Sequence, residues 1–157
     1  MKQDLRNSTL AIPLIVVCFL LASSSSAAES DVAFSARDHQ CSNRMLSGDY
    51  GFAGEGLVIT GPPQPLPFSG VGMAHFDGKG NLSWLEHTLI GGQLQGTEWT
   101  MATGTYTVNA NCTGTAVVNT PNSPVPLNIA FVVVKQGREV RSVGDGHAIN
   151  SVFIRTD

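Results

Sequence analysis

The chain has 157 residues, 17 of them glycine and 8 proline; 13% are charged, and the formal net charge is −3. That leaves room for one domain with one hydrophobic core and excludes a multidomain enzyme, a long coiled coil and a disordered acidic tail. The mild acidity also excludes a basic nucleic-acid binder, since phosphate recognition needs clustered Lys and Arg.

Lys2 and Arg6 precede an apolar run from Leu10 to Ala22. The run is shorter than the ~20 residues that span a bilayer comfortably. Small residues follow, and Ser26 with Ala28 fits the small-x-small rule for cleavage after Ala28. Residues 1–28 therefore read as a secretory signal peptide, and the mature chain is expected to be exported, to the periplasm or the extracellular medium. Cleavage removes Lys2, Asp4 and Arg6 and leaves the chain one unit more acidic. No later apolar run is long enough to cross a membrane, so neither membrane nor nucleic acid is expected as a partner.

Residues 29–46 contain no glycine and read as a lead-in segment, with room for one or two helical turns between Asp31 and Met45. With Cys18 lost alongside the signal, Cys41 and Cys112 remain. Two cysteines in an exported chain most simply form one disulfide. Closing a loop of roughly 70 residues stabilises by roughly 4 kcal/mol in the chain-entropy account. A reactive thiol would need an activating His or a CxxC spacing, and a zinc site would need more ligands at closer spacing. No metal and no cofactor is expected.

From Ser47 the pattern changes. Short runs rich in Val, Ile, Thr, Phe and Tyr alternate with Gly, Pro and Asn clusters, which is all-β punctuation. Eight runs are predicted: Asp49 to Thr60, Phe68 to Phe76, Leu82 to Ile90, Glu98 to Val108, Cys112 to Asn119, Leu127 to Lys135, Arg138 to Val143 and His147 to Arg155. Gly61 to Pro67 makes a stiff connection, Asp77 to Asn81 a glycine hairpin, and Gln136-Gly137 a two-residue hairpin. Short connections between consecutive runs make an antiparallel meander. Residues 47–157 are thus expected to form one eight-stranded barrel, with a two-sheet sandwich as the alternative. Glycines inside strands (Gly51, Gly54, Gly56, Gly70, Gly72, Gly104, Gly114) favour the barrel, because they mark tight curvature, a bulge or a crowded interior.

The alternation of side chains assigns faces. Tyr106 and Val108 oppose a threonine face and should point inward. Glu86 alternates with Leu82, Trp84, Thr88 and Ile90. If that face lines the interior, Glu86 becomes a candidate general acid or base. Tyr50, Phe52, Trp84, Tyr106 and Phe131 are candidate interior ligand contacts. Arg141 is a further candidate if it points inward and pairs with an acid such as Glu86 or Glu55, the alternative being a surface ion pair. The sixth run, Ile129 to Val134, is apolar on both faces, which suggests a covering N-terminal segment or a homo-oligomer. His75, His87 and His147 show no ligand spacing. No P-loop, dinucleotide fingerprint or nucleophile elbow is present.

Three phrases carry a family resemblance: Leu46-Ser47-Gly48-Asp49-Tyr50-Gly51-Phe52, Phe76-Asp77-Gly78-Lys79-Gly80-Asn81, and Gly104 to Thr115 (GTYTVNANCTGT). They resemble a group of small exported bacterial proteins of unknown function whose architecture is similar to the allene oxide cyclase and dirigent-type β-barrels. The resemblance covers Leu46 to the C-terminus and lies mostly in turn chemistry. It implies an eight-stranded, often oligomeric barrel with an apolar cavity, and chemistry done by enclosing a reactive substrate. No residue role is carried across. The functional expectation is a barrel that binds a small apolar ligand inside. The alternatives are a cofactor-free cyclase or isomerase using Glu86, and a structural module whose barrel is filled.

Overall fold

Alternating β-branched and aromatic residues, cut by glycine and proline, give nine strands in a computed structural model that describes residues 40–59, 61 and 63–156. They are β1 (Ser47–Val58), β2 (Leu66–Asp77), β3 (Asn81–Ile90), β4 (Gln93–Leu94), β5 (Thr100–Val108), β6 (Thr113–Asn119), β7 (Leu127–Val134), β8 (Glu139–Gly144) and β9 (Ala148–Arg155). Every pairing is antiparallel, and successive long strands are neighbours. β9 returns to β1, with Phe153 opposite Phe52, and closes the sheet. The result is an eight-stranded barrel, as the glycine pattern suggested, and closure leaves no long free edge. The short β4 is an addition to the expected eight: it folds back on the end of β3, with Gln93 opposite Ile90. The signal peptide and the lead-in up to residue 39 lie outside the described residues. In the described part of the segment expected to hold helical turns, a 3₁₀ turn spans Asn43–Met45.

One half of the barrel is filled. Tyr50, Phe76 and Tyr106 meet edge to face, with ring centroids 5.2 and 5.1 Å apart. Each such pair adds about 1 kcal/mol beyond the area it buries. Leu46, Leu82, Val118, Val133 and Val140 pack around them. The chain before β1 stops this end. Leu46 is fully buried, and Cys41 is joined to Cys112 in the β5–β6 turn, with Cα atoms 5.0 Å apart. The Tyr106 hydroxyl donates to the Leu46 carbonyl at 2.8 Å and lies 3.2 Å from that of Asn43. Burial pushes the Tyr106 phenol up to about 12, with the Asp77 charge adding to it, so it remains a donor across the ordinary pH range.

The turns at this end are tightly specified. Asp77 accepts the backbone N–H groups of Lys79, Gly80 and Asn81 on Oδ1 and the Asn81 side-chain amide on Oδ2. Those bonds, the Asn81 amide first, hold its carboxyl well below the usual carboxylate range. The Asp77 to Asn81 segment is thus a turn, as its composition predicted. The β7–β8 connection is wider than the expected two-residue hairpin. Lys135, Gln136 and Gly137 all have positive φ (52°, 58° and 84°). At Gly137 a Cβ would lie 2.3 Å from the Met45 carbonyl oxygen, and the Gly137 carbonyl accepts the Tyr50 hydroxyl, so a close approach enforces the conformation.

Outside, Ile154, Met73, Leu85 and Met101 form an exposed apolar row across β9, β1, β2, β3 and β5, with Gly51 between Ile154 and Met73. The outward residues Asn128 and Val132 of β7 are also exposed, so no described residue supplies the cover expected over that strand.

Candidate functional site

Where the filled half ends, a second aromatic layer begins. Phe52 stacks on Phe153 at 5.0 Å and meets Trp84 at 5.5 Å. These three rings rest on the Phe76 layer and form the floor of a cavity of about 580 Å³ in the other half of the barrel. Its walls come from the same inward alternation, but the residues are small: Gly54 on β1, Gly70 on β2, Thr88 on β3, Ser142 and Gly144 on β8, and Ser151 on β9. Phe68, Ile90, Leu127, Ile129 and Ile149 keep most of the lining apolar. The mouth is rimmed by the β1–β2, β6–β7 and β8–β9 connections, which contribute Gly61, Pro124, Val125, Asp145 and His147.

Two strand glycines stand at opposite extremes of packing. At Gly72 a Cβ would lie 2.1 Å from the Leu85 carbonyl oxygen and 2.6 Å from the Phe52 ring. Gly72 therefore leaves the space that the Phe52 ring occupies. Gly144 is the opposite case: a Cβ there would meet nothing within 4 Å, because it would project into open space.

Glu86 stands in the cavity wall. It is opposite Gly72 on β2 and Thr100 on β5, and only 7% exposed. Its Oε1 accepts the Thr120 hydroxyl at 2.7 Å and the Asn122 side-chain amide at 3.4 Å, both from the segment that leaves β6. Asn122 N–H in turn bonds the Thr120 oxygen at 3.3 Å, so the loop is folded to present both donors. Neither Oε2 nor the carboxylate as a whole has a further hydrogen-bond or ionic partner among the described residues. Two other polar atoms on this face of β3, Trp84 Nε1 and Thr88 Oγ1, are buried and have no hydrogen-bond partner among the described residues.

The structure divides the sequence candidates into three groups. Phe52, Trp84 and Glu86 share the cavity. Tyr50, Tyr106 and Phe131 are buried as expected but lie in the filled half, away from the lining. They do not line the cavity: Tyr50 and Tyr106 spend their hydroxyls on backbone carbonyls, and the Phe131 ring fills the space over Gly114. Arg141 points outward, away from the cavity, in the surface ion pair that was its alternative. Its Nε donates to Glu139 at 2.7 Å, and Lys135 pairs with the same carboxylate. These two cations, Lys135 foremost, hold the Glu139 carboxyl below its ordinary value. Glu55 is exposed on the outer face of β1, and His75 pairs with Asp49 outside at 2.7 Å.

Sequence reasoning missed Phe153, Ser142, Ser151, Thr120 and Asn122. The first three were open to detection, because β9 and β8 alternate regularly. Asn122 lies in a loop and carried no signal.

No family model, curated protein or solved structure matches the chain. The resemblance to the allene oxide cyclase and dirigent-type barrels therefore rests on the three quoted phrases, and the site has to be read from its own chemistry.

Proposed function

We propose that this protein encloses a small, largely apolar molecule in the open half of its barrel, and that it does so outside the cytoplasm. The cavity of about 580 Å³ above the Phe52–Trp84–Phe153 floor carries the reading. Its size falls within the range of small-molecule sites, and an apolar lining with one convergent polar group is their usual composition. Eight-stranded barrels hold one small ligand when their side chains do not fill them. The signal-like N-terminus and the Cys41–Cys112 disulfide support export to an oxidising compartment.

The neutral fluorophore N-phenyl-1-naphthylamine tests the reading. Saturable binding with one site per barrel is expected, and Gly144→Leu should weaken it at least about tenfold by filling the cavity. No enhancement in the wild-type protein, or equal binding in the variant, would remove the interior as the site.

One observation favours a second reading as an enzyme. Glu86 Oε2 has no partner among the described residues, which supports a role in taking a proton from an enclosed substrate or returning one to it. A cofactor-free isomerase or cyclase would need only that group and a cavity that holds the substrate in a reactive fold. Glu86→Gln would then abolish turnover while leaving the substrate bound.

A further inference from the structure

We infer that the guest carries a protonated amine, seated against Glu86 with its apolar body on the aromatic floor. This rests on the cavity being the binding site and narrows what it takes. Glu86 is more than nine-tenths buried, and no Lys or Arg occurs among the residues that line the cavity. The other ionisable groups of the lining are Asp145 and His147 at the mouth, so the site presents two carboxylates and no permanent cation.

A carboxylate removed from water needs a counter-charge or a full set of donors. Thr120 and Asn122 supply two neutral donors, and both fall on Oε1. Oε2 is left for a donor that comes with the guest. An ammonium group meets that need best, since a hydrogen bond between ionised partners is about twice as strong as a neutral one. The rings of Phe52, Trp84 and Phe153 offer the apolar surface on which the body of such a guest would rest. A guest carboxylate would face Glu86 without an intervening cation. The inferred class is therefore a hydrophobic amine small enough for about 580 Å³, and fatty acids and other anionic amphiphiles are excluded.

Three probes of nearly equal shape separate the possibilities: 1-naphthylmethylamine, 1-naphthylmethanol and 1-naphthoate, titrated into the purified protein by calorimetry at neutral pH. The amine should bind about tenfold or more tightly than the alcohol, and the carboxylate weakest of all. In Glu86→Gln, which keeps the shape and the Thr120 contact, the amine should fall to the level of the alcohol while the alcohol is nearly unchanged. If the alcohol or the carboxylate binds as well as the amine, or if Glu86→Gln keeps the amine preference, the inference fails and the apolar-cavity reading stands. If none of the three binds, both fail.

Discussion

The two halves of the barrel are built from the same eight strands and the same alternation, yet one is solid and the other hollow. In the filled half the inward positions hold Tyr50, Phe76, Leu82 and Tyr106; a few residues further along the same strands they hold Gly54, Gly70 and Thr88. The backbone does not change at the boundary. What changes is the size of the inward side chain, and the second aromatic layer marks the transition. The filled half is fastened by a disulfide, by hydroxyl-to-carbonyl bonds and by a plug of chain, which supplies the rigidity that a hollow half lacks. The interior of a small barrel is thus not committed to packing or to binding along its whole length.

The contrast can be broken most strongly at the plug. Replacing Cys41 and Cys112 together by Ser should cost roughly 4 kcal/mol, read as a lower midpoint in urea unfolding. A loss near zero would mean that the filled half does not need its fastening. Tyr106→Phe removes one hydroxyl and leaves the Leu46 carbonyl without its donor, at a cost of about 1 kcal/mol by the same measurement. Binding of the neutral fluorophore should be unaffected by it. The hollow half should behave differently. Thr88→Val deletes an enclosed hydroxyl that bonds nothing, so stability should stay within about 0.5 kcal/mol or rise. A loss comparable to that of Tyr106→Phe would show the two halves to be equally specified.

The fold was legible because turn chemistry and strand alternation agree over the whole described barrel. The cavity wall was legible on β3, where Trp84, Glu86 and Thr88 share one face. Arg141 shows where alternation fails. β8 reads Glu-Val-Arg-Ser-Val-Gly, and its two valines lie on opposite faces, so hydrophobicity alone does not choose the inward set. Val140 and Ser142 point in, and Arg141 points out. Tyr50 and Phe52 show a second limit. They share a face, and periodicity assigned both to the interior. A step of two residues along a strand, about 7 Å, separates filler from floor. That depth depends on how the strands are staggered around the barrel, a property of pairings between distant segments and not of any one strand. Asn122 reaches Glu86 only through the path of its loop, for which composition offers no rule.

Six prolines among the described residues, Pro63, Pro65, Pro67, Pro121, Pro124 and Pro126, lie in or beside the two longest connections at the mouth. Each fixes its own φ and narrows the choices of the residue before it. Much of the rim's conformational freedom is therefore absent even from the unfolded chain. Enclosing the proposed guest would then order little that was not ordered before, and its affinity would not be eroded by the freezing of a lid. Its rates of arrival and escape would fall with its girth more steeply than with its length.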